Sequence, residues 1–129
     1  MGYITTQHGE EQTVKSGLQL TYDYGLYNDS VDLLARGDTD PDTDITTEPT
    51  GAEYARQQVV IGSTNTAEYD GNWGYRVEVS FDTSDSTEDV DGVFAVESAL
   101  IHHSAGPFSQ VRDLSQIDIL DVTITVVVQ

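Results

Sequence analysis

Tyr75-Arg76-Val77-Glu78-Val79-Ser80-Phe81-Asp82 is the stretch that decides the fold. Four large apolar side chains alternate with four polar ones. A period of two puts each set on its own face of an extended chain. Such a strand is wet on one side and needs an apolar layer on the other. The same alternation recurs near the C-terminus, where Val122, Ile124, Val126 and Val128 are separated by Thr123, Thr125 and Val127. It recurs again where Leu18, Leu20, Tyr22 and Tyr24 are separated by Gln19, Thr21 and Asp23, in a strand reaching Leu26 or Tyr27.

Weaker segments lie between these three. Residues 31–35 read as a short strand. Residues 52–61 read as a strand with an irregularity near Gln57-Gln58, with a helix over 52–58 as the alternative. Residues 92–101 read as a strand bent near Glu97-Ser98, and 114–120 as an edge segment. Asn28-Asp29-Ser30 and Gly106-Pro107 are turn signals. Residues 37–51, 62–74 and 82–91 read as polar connections, the second carrying the only tryptophan, Trp73. Residues 1–17 are polar and aperiodic and read as an N-terminal arm. The remaining 18–129 hold about seven strands and no convincing helix. That pattern predicts an antiparallel β-sandwich, with a jelly roll as one form of it. The C-terminal strand is expected to pair inside a sheet and not at its edge.

Five basic residues face 23 acidic ones across 129 residues, for a formal charge of −18. No basic stripe exists to neutralise phosphates, which excludes a nucleic-acid groove binder. The same sign opposes docking on anionic lipid. The apolar runs are too short to span a membrane. High charge is also a mark of disorder. Here 37% of the residues are hydrophobic and fall into strand-like runs, with the charge gathered between them. A single lysine beside fifteen aspartates reads as a surface adapted to molar salt, where the Debye length is roughly 3 Å. An acidic cation-binding protein is the alternative. Cysteine is absent, so there is neither a disulfide nor thiol chemistry.

The candidate sites follow from these patterns. Asp38, Asp40, Asp42 and Asp44 alternate in a tight loop, a spacing of oxygen ligands suited to Ca or Mg ions. Thr43 stands where an EF-hand loop needs glycine, and Pro49 where it needs a bidentate carboxylate, so a hydrated acidic loop is the competing reading. His102 and His103 are adjacent on a strand, point to opposite faces and do not share a metal. No nucleophile elbow, phosphate loop or zinc spacing is present. Tyr69 and Trp73 lie in a polar connection and are the candidates for contact with a receptor or glycan.

Two stretches carry a resemblance. Leu26-Tyr27-Asn28-Asp29 precedes the long acidic loop, and Glu48-Pro49-Thr50-Gly51-Ala52-Glu53-Tyr54-Ala55-Arg56-Gln57 follows it. The second has the form Glu-x-x-Gly-x-x-Tyr-Ala-Arg-Gln leading into a strand. In this it resembles small all-β virion proteins of tailed phages and tailed archaeal viruses, of the tail, tail-fibre and head-decoration types. Leu120-Asp121-Val122-Thr123-Ile124-Thr125-Val126 resembles their closing strand. The middle of the chain departs from them, with only Gly71-Asn72-Trp73-Gly74 echoing their Trp-Gly region.

Combined with the acidic surface, the resemblance implies a non-enzymatic structural protein in the virion of a tailed haloarchaeal virus. It would form a homo-oligomer and contact other virion proteins, as a capsid decoration or turret or along the neck and tail. Tyr54, Arg56 and Gln57 are the implied interface residues, with an intramolecular salt bridge as the other role open to Arg56. A virion-borne receptor- or glycan-binding module and a small halophile enzyme are the rival readings.

Overall fold

The computed structural model describes residues 4–16, 20–28, 48–69, 71–97 and 101–127. In chain order its elements are β1 (Ile4–Thr5), α1 (Gln7–Ser16), β2 (Leu20–Tyr27), β3 (Gln57–Ile61), β4 (Thr66–Tyr69), β5 (Asn72–Asp82), β6 (Asp89–Glu97), β7 (Ile101–Asp113) and β8 (Ile119–Val127). Short 3₁₀ turns occupy Ser63–Asn65 and Leu114–Gln116. The strands form two antiparallel sheets, ordered β1-β7-β6-β2-β3 and β4-β5-β8. This is the predicted all-β sandwich.

β5 has the face assignment its alternation requires. Tyr75, Val77, Val79 and Phe81 are buried, and Arg76, Glu78 and Ser80 are exposed. β8 runs beside it in unbroken register from Gly74↔Val127 to Asp82↔Ile119. Val122, Ile124 and Val126 therefore join the same inner face. Tyr22, Tyr24, Leu26, Val90, Val93 and Ala95 face them from β2 and β6 across the sandwich. Burial of this apolar area is the main force closing the two layers.

A second apolar cluster lies on the other face of the larger sheet. Tyr27, Phe94, Val96 and Ala105 are all buried there, with Ile4 against them. That sheet is thus buried on both faces, and alternation is lost along the end of β2 and the middle of β6. Two glycines make room for the rings. A Cβ on Gly25 would lie 2.5 Å from Phe94, its cross-strand partner, and a Cβ on Gly92 would lie 2.3 Å from the hydroxyl of Tyr27, its own partner.

The structure corrects four expectations. First, the N-terminal segment is not an arm. Ile4 and Thr5 pair with Ala105 and Ser104, and α1 follows at once. Thr6 is the N-cap: its Oγ1 accepts from Gly9 N at 3.0 Å and donates to the His103 carbonyl at 3.0 Å. The helix meets β7 through Thr6, Gly9 and Thr13, not through leucines, so no apolar period marks it. Second, residues 62–74 are not a plain connection. They contain β4 and the start of β5, joined by a tight hairpin with Gly71 at φ 84°. Third, Gly106-Pro107 does not turn the chain. Both residues pair inside β7, with Val93 and Gly92. Between Gly92 and Val90 the partner jumps from Pro107 to Arg112, so Pro107 stands where the ladder breaks and its missing N–H costs little. Fourth, β8 is an edge strand, paired among the described residues with β5 alone. The strand expected at 31–35 lies outside the described residues. Residues 52–56 are turn and coil, neither the strand nor the helix expected there, and the strand begins only at Gln57.

Candidate functional site

The motif at 48–57 forms a closed hydrogen-bonded clasp at the edge of β2. β3 pairs with β2 from Leu20↔Ile61 to Tyr24↔Gln57 and goes no further. Beyond Tyr24 another group must meet the edge of β2. Tyr54 does so: its hydroxyl accepts from Leu26 N at 2.9 Å and donates to Glu48 Oε1 at 2.8 Å. Arg56 then grips Glu48 with both arms of its fork, Nε to Oε1 at 3.0 Å and an Nη to Oε2 at 2.9 Å. This bidentate geometry is the one that distinguishes arginine from lysine. The guanidinium also lies 5.1 Å from the centre of the Phe94 ring.

The ring of Tyr54 stacks on Phe81, with centroids 6.0 Å apart. Burial pushes its hydroxyl far above the ordinary tyrosine range. The hydrogen bond to Glu48 raises the Arg56 guanidinium further. The clasp is therefore a protonated tyrosine and a permanent cation sharing one carboxylate.

The acidic loop after β5 holds the other side of this segment. Thr50 donates to Glu88 Oε2 from its backbone at 2.7 Å and from its hydroxyl at 2.5 Å. These bonds lower the Glu88 carboxyl to about 2. Glu53 N donates to both oxygens of Asp85 at 3.1 and 3.2 Å. A Cβ on Gly51 would lie 2.5 Å from Asp85 Oδ1 and from Ser86 Oγ, so only glycine fits this approach. Carboxylates of the stretch that reads as a polar connection, Asp85 and Glu88, are thus acceptors for the 50–53 backbone. Composition gave no signal for this, since any of 23 acids could serve.

Of the three interface candidates, the structure joins Tyr54 and Arg56 through Glu48. It leaves Gln57 apart, its amide donating to the Ala55 carbonyl at 3.0 Å. Arg56 has the intramolecular ion pair that was one of its two open roles.

Tyr69 and Trp73 are near in sequence but do not share a surface. Tyr69 pairs with Asn72 and Glu68 with Trp73, so the two rings lie on opposite faces of the β4–β5 ribbon. Trp73 has core parity, yet it stands at the hairpin tip and is 62% exposed. Tyr69 lies under the Arg76 guanidinium, 4.6 Å from its ring centre. With Thr64, Asn65 and Glu78 these two line a shallow groove of about 440 Å³. Arg76 is fixed there by donating from Nε to Thr125 Oγ1 at 2.9 Å.

Asp38, Asp40, Asp42 and Asp44 lie outside the described residues. Among the described residues no three His, Asp or Glu side chains converge as a metal site, and no helix is long and apolar enough to cross a membrane.

His103 has a structural role that its sequence position did not reveal. It is the extra residue where β7 bulges opposite the Ala95–Val96 step, and it is fully buried. Its Nε2 donates to the Gly9 carbonyl at 3.1 Å, and Ser104 Oγ lies 3.0 Å from Nδ1. Its ring is 4.2 Å from that of Tyr22. Burial holds the imidazole near 4, well below the usual histidine value, so it is neutral and ties α1 to the sheet. His8, on the same helix, is hydrogen-bonded to Glu97. Comparison with protein-family models, with characterised proteins and with solved structures returned no match.

Proposed function

We propose that this chain is a non-enzymatic structural protein in the virion of a tailed virus of a halophilic archaeon. It assembles as a homo-oligomer and sits on the capsid, as a decoration or turret protein, or on the neck or tail. One observation carries the reading. The residues that resemble the virion proteins, Glu48, Tyr54 and Arg56, bond to one another and to the edge of β2. The motif has a mechanical task, closing a sandwich, and its polar groups are aimed at the fold. A salt-adapted surface and a resemblance placed on framework residues fit a building block better than a catalyst.

Particle analysis tests this. Purified virions should contain the chain in a fixed ratio to the major capsid protein, and antibodies to it should label one symmetric feature. Recovery of the chain only from infected-cell lysate, never from particles, would overturn the proposal.

The second reading is a virion-borne glycan- or receptor-binding module. It is favoured by the groove where Tyr69 and Arg76 meet polar side chains. Because the two aromatics face opposite ways, that reading predicts a split. Glycan-array binding through the groove is lost in Tyr69→Ala and kept in Trp73→Ala.

A further inference from the structure

β8 is a long, regular strand whose outer edge meets no other strand among the described residues. Its nine residues pair with β5 without a bulge, so every second N–H and C=O on the far side points away from the sheet. Proteins usually guard such an edge with proline, lysine, a bulge or short length. β8 has none of these. The other edges differ: β1 has two residues and α1 beside it, β4 has four, and β3 has five and presents Gln58 to solvent.

The charge along this edge is also unusual for the chain. The whole sequence carries 23 acids, yet Ile119–Val127 contains only Asp121. A basic partner would be matched by acids along the strip, and they are missing. A neutral, β-branched strip fits another of the same kind, and the chain's own β8 is one.

We propose that β8 pairs antiparallel with β8 of a second copy across a twofold axis at Thr123. This deepens the homo-oligomer reading above and rests on it. The register is the one that uses all nine residues. It sets Thr123 against Thr123, Asp121 against Thr125 and Ile119 against Val127 on the outer face. On the core side it sets Val122 against Ile124 and Leu120 against Val126. No like charges meet, whereas a twofold at Asp121 would bring two carboxylates together. A shift by one residue would turn the apolar set of one copy onto the polar face of the other. Ile119, 63% exposed in the single chain, gains an apolar neighbour. The result is one continuous six-stranded sheet with the two β8 strands at its centre, an isologous contact.

The test is solution mass by light scattering over a salt series, on the full chain and three variants at Thr123. The side chain of Thr123 is exposed but lies opposite Glu78, so Thr123→Asp also lowers the stability of the single chain somewhat. Association is therefore compared in molar salt at temperatures where thermal melting shows each variant folded. Wild type should be dimeric or a higher even oligomer in molar salt. Thr123→Asp places two carboxylates face to face and should weaken association about tenfold or more, most strongly at the lowest salt where it stays folded. Thr123→Val should leave association intact. The chain has no native cysteine, so Thr123→Cys should yield an oxidised dimer where Ile119→Cys does not. An oligomer that ignores Thr123→Asp, with no cross-link at Thr123→Cys, overturns the β8 contact and leaves the assembly reading in place. A chain that is monomeric in molar salt overturns both.

Discussion

Glu48 is the residue on which most of the clasp depends, because one carboxylate serves the Tyr54 hydroxyl and both arms of Arg56. Removing it takes from the Tyr54 hydroxyl and the Arg56 fork the carboxylate they share. Glu48→Ala should lower stability by about 2 kcal/mol, within the range for losing the acceptor of charged and buried donors. Arg56→Ala should cost less, about 1 kcal/mol or under, because the ion pair is about a third exposed. Denaturant melts at constant molar salt check the order. An Arg56→Ala loss larger than that of Glu48→Ala would reverse the argument. Tyr27 gives the opposite case. Its hydroxyl is buried with no hydrogen-bond partner among the described residues, and burial, aided by Asp91, raises it to about 12. Tyr27→Phe should leave stability unchanged or raise it by about 1 kcal/mol, since it removes a polar group that folding strips of water. A clear loss in the same melts would show that the hydroxyl is satisfied.

At the scale of elements, α1 depends on a neutral His103. Its folded value near 4 lies below the ordinary 6.5, so the unfolded chain takes up the proton first as pH falls. The contribution is complete above 6.5, declines between 6.5 and 4, and is gone below. A shift of this size corresponds to about 3 kcal/mol at most. Thermal melts from pH 7 to 4 should show the decline, and the His103 ring resonance should stay neutral until pH nears 4. A ring that titrates near 6.5 in the folded protein would contradict the account.

The sequence shows unevenly which elements form. β5 and β8 were legible because one face of each is wet and the other dry, and β2 because its first half, Leu20 to Asp23, alternates in the same way. β4 was not, because Thr66-Ala67-Glu68-Tyr69 is short and has no large apolar face. α1 was not, because it buries threonine and glycine, whose small size permits close approach but gives no hydrophobic period. β7 was misread because Gly106 and Pro107 favour turns, while a ladder already broken tolerates them. The clasp was legible as a motif. Its partners were not, since strand order alone decides which carboxylates reach residues 50–56.

The whole molecule carries −18 and works against its own repulsion. The ion pair between Glu48 and Arg56 is the firmest pairing of opposite charges described, so salt screens far more repulsion than attraction. The melting temperature should therefore climb from about 0.1 M salt, where the Debye length is about 10 Å, to molar salt, where it is about 3 Å. A flat profile in the absence of divalent ions would mean that the charge is balanced in another way. The clasp has a last consequence, for where the chain rejoins the sheet. β2 ends at Tyr27, and its edge is taken up again by Tyr54 and then by β3, so the chain leaves and re-enters the sheet on the same side. The return point is pinned by Glu48, Tyr54 and Arg56 whatever precedes them. Where the chain rejoins the sheet is thus set by these three side chains and not by the length of sequence between Tyr27 and Glu48.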